Sequence, residues 1–170
     1  MKTRWKTFPL FLFLVLWVAA CGPKVIPKEF EEKIDKKLTF EEIQKNPDAY
    51  RGRSILIGGE IIETRNLKDK TEIEVLQKPL GSNRAPVPID ESNGRFILIH
   101  SSFLDPAVFR SGRRLTAVGT VQGGRDERFG EAERITPVLE DEHIHLWPPG
   151  QADREPSVGF SFGIGAVFGR

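Results

Sequence analysis

The stretch RSILIGGEIIET, residues Arg53 to Thr64, combines β-branched residues with a glycine pair at its centre. β-branched side chains favour the pleated backbone of a strand, whereas glycine inside a strand is typical of a bulge or a sharp bend. We therefore predict a first strand over this stretch, with a bulge or a sharp coil at Gly58-Gly59. Its isoleucines are Ile55, Ile57, Ile61 and Ile62.

Four further apolar runs downstream predict strands, and in two of them, Thr71–Leu76 and Arg114–Gln122, apolar and polar residues alternate with the period of two that a half-buried strand shows. Residues 79–94 lie between two of these runs and contain several prolines and glycines, which predicts a long loop. The predicted strands are Thr71–Leu76, Phe96–His100, Arg114–Gln122 and one within Val138–Trp147.

Two short helical segments are indicated by their capping residues. Thr39 and Glu42 have the spacing of a capping box, and Leu38 is placed to pack on Ile43, in a helix that should end before Pro47. The sequence Asp105-Pro106 suits the start of a single helical turn.

The predicted order is three strands, a short helix and two more strands. This order, with a glycine-coiled first strand, predicts a mainly β fold: a small OB-like barrel of five to six strands with short helices. A small β-sandwich is compatible with the same pattern.

The N-terminus has the charge pattern of a secretory signal peptide. Three basic residues precede 13 uncharged ones, residues 8–20, which is too short for a transmembrane helix of about 20 residues. Val18-Ala19-Ala20-Cys21 then fits a bacterial lipobox, in which the thiol of Cys21 receives acyl chains. Gly22, rather than Asp, follows the cysteine and favours the outer membrane. The alternatives are a signal anchor, or a cleaved soluble protein with a chance cysteine.

These patterns divide the chain into four parts. Residues 1–20 are the predicted signal peptide, 21–37 a lipidated N-terminus with a solvated tether, 38–148 the barrel domain and 149–170 a tail rich in glycine and phenylalanine. Loss of residues 1–20 changes the formal charge from +1 to −2. The mature chain therefore has no basic excess that would attract nucleic acid.

Several segments together resemble the Slp family of bacterial outer-membrane lipoproteins, and they occur in the family's order behind the lipobox. The most specific phrase is Phe103-Leu104-Asp105-Pro106. The other matching segments are Asn46-Pro47 through Tyr50, Gly52, Gly58 to Ile62, Ser102, Val118 to Gly123 and Ile144 to Trp147.

The resemblance implies a lipid-anchored protein at the periplasmic face of the outer membrane, linked to starvation or envelope stress and without an established catalytic activity. The tail after Pro149 departs from the aromatic-rich ending of the family. The implied partners are membrane lipid, through Cys21, and an envelope protein.

No residue set predicts a catalytic, cofactor or metal site. His143 and His145 would share one face of a strand, and a metal would need His100 or Glu140 as a third ligand. The adjacent carboxylates of residues 140–142 are typical of a solvated turn or a strand edge. We therefore predict that the protein is not an enzyme.

Two further features concern partners. The basic cluster Arg110, Arg113 and Arg114 is balanced by acidic residues elsewhere, so we predict no nucleic-acid binding. In the tail, glycines are interspersed with apolar residues over Val158 to Gly169, which suits contact with a partner or the membrane, packing on the barrel, or disorder. Two functions stay open: an interaction lipoprotein of the envelope, and a small-ligand-binding lipoprotein with an apolar pocket in the barrel.

Overall fold

A closed barrel of five strands forms the centre of the computed structural model, which describes residues 24–129 and 132–149. The order around the barrel is β1-β2-β3-β5-β4, and every neighbouring pair is antiparallel except β3 and β5. The predicted small, mainly β barrel is confirmed, with five strands. The strands are β1 (Ser54–Asn66), β2 (Thr71–Gln77), β3 (Arg95–His100), β4 (Arg114–Phe129) and β5 (Ala132–Leu146).

Strand β1 is long enough to pair with β4 through its first half and with β2 through its second half. Its bulge lies between Ile61 and Glu63, where the register against β2 shifts, and not at the glycine pair. The glycines have a different role. A Cβ on Gly59 would overlap the backbone carbonyl of Leu76, and one on Gly58 would lie 2.8 Å from the carbonyl oxygen of Leu115. Glycine therefore lets neighbouring backbone approach β1 closely.

The interior of the barrel is filled by apolar side chains from all five strands and from the helix that precedes them. The core side chains of β2 and β4 lie two or four residues apart along each strand, as the pleat requires. Phe40 meets Phe96 edge to face, with ring centroids 5.9 Å apart. The buried core consists of Leu38, Phe40, Ile43, Ile55, Ile57, Ile61, Ile73, Val75, Phe96, Leu98, Leu115, Ala117, Val121 and Leu139.

Two short helices, α1 (Lys28–Glu31) and α2 (Phe40–Lys45), precede the barrel. The predicted capping box of α2 is confirmed: the Glu42 amide donates to the Thr39 hydroxyl, and the Thr39 amide donates to the Glu42 carboxylate. A 3₁₀ helix, Pro47–Tyr50, follows α2. None of the helices in residues 24–129 and 132–149 is long and apolar enough to cross a bilayer.

The hairpin of β4 and β5 is longer than predicted. The sequence indicated an end at Gln122 and a restart at Val138, yet pairing continues from Gly123↔Val138 to Phe129↔Ala132. The extension is rich in charged residues and contains no alternation of apolar side chains, so it carried no strand signal. Backbone hydrogen bonds between the two strands hold it together.

Residues 24–37 differ from the solvated tether that the sequence indicated. Ile26 is buried, and Ile34 forms a parallel β-bridge with Ser54. Phe30 stacks on His143, with centroids 5.2 Å apart. This segment, called the N-terminal strap, contacts β1 through the Ile34–Ser54 bridge and β5 through the Phe30–His143 stack.

Candidate functional site

The loop from Ser101 to Asp105, called the Phe103 loop, presents a large apolar side chain to solvent. Phe103 is 71% exposed, the highest value among the exposed large apolar residues of the described chain. The loop backbone is nevertheless fixed. Asn66 Nδ2 donates to the Leu104 carbonyl at 3.0 Å, and the buried Thr71 hydroxyl lies 2.7 Å from the Ser102 carbonyl.

The turn that follows keeps the Phe103 loop in place from the other side. The carbonyl of Asp105 accepts from the amides of Val108 and Phe109, and its carboxylate accepts from Ala107 at 2.8 Å, so the segment is a capped single turn as predicted. Thr64 donates its hydroxyl to the Phe109 carbonyl at 2.7 Å. Side-chain hydrogen bonds from β1 and β2 thus hold the Phe103 loop in position, while the ring of Phe103 is not part of the core.

An ion pair between β2 and the extended hairpin was missed in the sequence. Glu72 is 5% exposed and accepts two hydrogen bonds from Arg125, at 2.8 and 2.9 Å. The Arg125 hydrogen bond lowers the pKa of Glu72 to about 2, with help from Lys70 at 3.1 Å and against the effect of burial. Arg125 lies in the charge-rich extension, where no pattern in the sequence pointed to Glu72.

The three histidines each have separate partners. His143 Nε2 lies 3.1 Å from the Val25 carbonyl oxygen, and the His145 ring meets Trp147 edge to face at 4.6 Å. Burial, and then the neighbouring His143, lower the pKa of His145. His100 Nδ1 pairs with Asp141 at 2.9 Å. Over residues 24–129 and 132–149, no three potential ligands converge as a metal site requires.

The carboxylates of residues 140–142 are not in a solvated turn, because they lie within β5, which pairs with β4 and, as far as Glu140, also with β3. Asp141 has a side chain only 7% exposed. Glu142 accepts from Lys33 at 2.5 Å and from the Ser54 and Thr120 hydroxyls at 2.8 Å. The Lys33 bond, followed by the two hydroxyls, lowers the pKa of Glu142 against the effect of burial. These groups join the strap and β1 to β5.

The predicted basic cluster is brought together in one cleft of about 280 Å³, called the arginine cleft. Arg113 donates to the Trp147 carbonyl at 2.8 Å and to the Val108 carbonyl at 3.2 Å. Arg114 also lines a neighbouring cleft that contains Glu60 and Asp90. The residues that line the arginine cleft are Arg110, Ser111, Gly112, Arg113, Arg114, Trp147, Pro148 and Pro149.

Two predicted features, the lipidation residue Cys21 and the tail after residue 149, lie outside the described residues. The structure begins at Lys24, three residues after Cys21.

Comparison with known proteins gives one family. The model of the outer membrane lipoprotein Slp family matches residues 18–163. An uncharacterized protein of Haemophilus influenzae is 26% identical over 136 residues, which are 79% of this chain and 74% of that protein. No solved structure matches the chain significantly.

The outer membrane protein Slp of Escherichia coli is 33% identical over 116 residues, or 67% of this chain. The match spans 60% of the length of the Escherichia coli protein. Neither relative is named as an enzyme. Since the family model covers most of the sequence, including the barrel, the chain belongs to the outer membrane lipoprotein Slp family.

Proposed function

We propose that this outer-membrane lipoprotein is anchored at the periplasmic face through acylated Cys21 and acts there by binding an envelope protein, without catalysis. Family membership and the lipobox Val18-Ala19-Ala20-Cys21 support the anchor. A role in starvation or envelope stress is part of the proposal, on the strength of the family resemblance.

The observation that carries the binding role is the exposed ring of Phe103 on a fixed loop. An aromatic side chain on a preorganised loop loses little conformational freedom on binding, and aromatic residues dominate the energetics of protein interfaces. Four hydrogen bonds hold the backbone on either side of the ring: Asn66 and Thr71 donate to the carbonyls of Leu104 and Ser102, and both accept from the Leu104 amide. An exposed phenyl ring adds nothing to the stability of the barrel. Contact with a partner therefore explains the exposure of Phe103 better.

The second candidate, a small-ligand-binding lipoprotein, required an apolar pocket within the barrel. The described interior is instead packed with side chains such as Phe96, Ile73 and Leu115, each fully buried. Small-ligand sites are concave and mostly apolar. The packed interior therefore favours the interaction role.

Cross-linking in intact cells, followed by capture of the full chain, tests the proposal. Phe103→Ala should remove at least one cross-linked envelope protein, whereas Ile135→Ala, at a side chain 51% exposed on the hairpin, should remove none. Deletion of residues 157–170 forms a separate arm for the tail. An unchanged set of partners in Phe103→Ala, with losses only in the deletion, would assign binding to the tail and contradict the role of the loop.

A further inference from the structure

The N-terminal strap determines which side of the barrel lies next to a lipid anchor. The Val25 carbonyl contacts His143 on the exterior of β5. Val25 lies four positions after Cys21 in the sequence, and an extended chain of that length reaches at most about 14 Å. If Cys21 is acylated, as proposed above, the membrane surface lies close to this part of β5.

The exterior of β5 continues from the strap towards the arginine cleft. His143, His145 and Trp147 alternate along the strand and share one face, so Trp147 lies about 13 Å from His143. Trp147 Nε1 donates to the Thr116 hydroxyl at 2.9 Å, and that hydroxyl donates to the Arg84 carbonyl at 2.7 Å. Lys24 and Arg84 line one shallow cleft beside the strap. Trp147 and the start of the strap are therefore on the same side of the barrel.

The arginine cleft concentrates positive charge at this position. Three of its lining residues are arginines and none is acidic, while the carboxylates of Glu60 and Asp90 line the neighbouring cleft. Arg113 is oriented by its bonds to the Trp147 and Val108 carbonyls. Arg110 is exposed, and its guanidinium makes no hydrogen bond or ion pair within residues 24–129 and 132–149.

We propose that the arginine cleft binds the phosphate of a phospholipid headgroup in the leaflet that holds the anchor. Guanidinium groups bind phosphate through paired N–H donors, and tryptophan favours the boundary between headgroups and hydrocarbon. The cleft and the anchor would act together. The segment between Cys21 and the packed strap is short, so the barrel has little freedom to turn the arginine cleft away from the membrane. The barrel thereby acquires a fixed orientation on the membrane.

Trp147 makes the proposal measurable. The other two tryptophans, Trp5 and Trp17, lie within the predicted signal peptide, so the processed protein has Trp147 as its single tryptophan. The full processed chain is purified, its acylation is verified by mass spectrometry, and it is reconstituted into phosphatidylcholine vesicles with or without phosphatidylglycerol. Brominated lipids then quench Trp147 only if it lies at the bilayer. Quenching should be stronger when phosphatidylglycerol is present.

In the variant Arg110→Gln, the increase in Trp147 quenching that phosphatidylglycerol causes should be about fivefold smaller. One basic residue near an anionic surface has an effect of this size. Lys45→Gln, which removes the same charge from an exposed position of α2, should behave as the unchanged protein. Equal quenching in Arg110→Gln and the unchanged protein would overturn the proposal. So would a Trp147 fluorescence change produced by inorganic phosphate in detergent but not by phosphatidylglycerol, because the site would then bind soluble anions.

The two proposals fail in different ways. A purified chain without acyl groups would contradict the anchor. An acylated chain whose Trp147 remains unquenched in every vesicle would contradict the headgroup site alone.

Discussion

Glu72 is a nearly buried carboxylate with three basic side chains within 4 Å: Arg125, Lys70 and Arg65. Because Arg125 is on the extended hairpin, its two hydrogen bonds join that hairpin to β2. A buried carboxylate is tolerated only when its lone pairs are used, and here Arg125 and Lys70 use them. The pair therefore joins two elements that are not hydrogen-bonded neighbours in the barrel.

Replacement of Glu72 by glutamine should lower the free energy of unfolding at pH 7 by about 1.5–3 kcal/mol, the range for hydrogen bonds to charged groups. The folded protein holds the pKa of Glu72 at about 2, below the ordinary 4.5. Its contribution is thus complete above pH 4.5 and is lost as the pH falls towards 2. Urea unfolding at pH 7, 4 and 2.5 should show the gap between unchanged protein and variant closing with acid.

The matched control for this experiment is Glu91→Gln, which removes the same charge from the exposed loop before β3 and should change stability by less than about 0.5 kcal/mol. A gap for Glu72→Gln that stays constant from pH 7 to pH 2.5 would contradict the ion pair.

Strand β1 is the element that closes the barrel, since it pairs with β4 before its bend and with β2 after it. The close approach of the Leu76 backbone to Gly59 is what allows one strand to serve both neighbours. The bulge at Ile62 adds to the bend, because an extra residue on one strand increases local twist. The close backbone approach at Gly59 and the bulge at Ile62, three residues further on, thus both shape this bend. The sequence had predicted a bulge or sharp coil at the glycine pair alone.

Gly59→Ala should destabilise the barrel by about 3 kcal/mol, at the upper end of the cost of overpacking, because the new methyl group meets the backbone of β2. Gly81→Ala is the control: its Cβ would meet the Asn83 side chain at 3.3 Å, and we expect a loss of less than about 1 kcal/mol. Chemical denaturation of both variants measures the difference. Equal stability of the two would show that β1 and β2 separate without cost.

The whole molecule combines a closed barrel, a strap packed on its exterior and the Phe103 loop, which exposes an aromatic ring. The proposed anchor lies only three residues before the first described residue, Lys24. Because the strap packs on β1 and β5, the barrel can move less far from the membrane than it could on a solvated tether. The expected consequence is a domain held close to the leaflet.

Cys21→Ser should abolish incorporation of a labelled palmitate analogue into the chain, because Cys21 is the only cysteine and supplies the only thiol. Fractionation should also show loss of the variant from the outer membrane. Ser101→Ala, a change at an exposed position of the Phe103 loop, should retain the label and the location. Label that persists in Cys21→Ser would contradict thioether anchoring at this residue.

The sequence by itself determined the mainly β class, the order of the five strands along the chain, the capping box of α2 and the family. These follow from local periodicity and nearby residue pairs, which act over a few residues of chain. Lipidation at Cys21 was predicted from a local motif in the same way, and it stays a prediction. Tertiary structure alone decided the site of the β1 bulge, the packing of the strap, the extended hairpin with its Glu72–Arg125 pair, and the exposure of Phe103. Each depends on contacts between residues far apart in the chain, and such contacts leave no pattern in any short stretch of sequence.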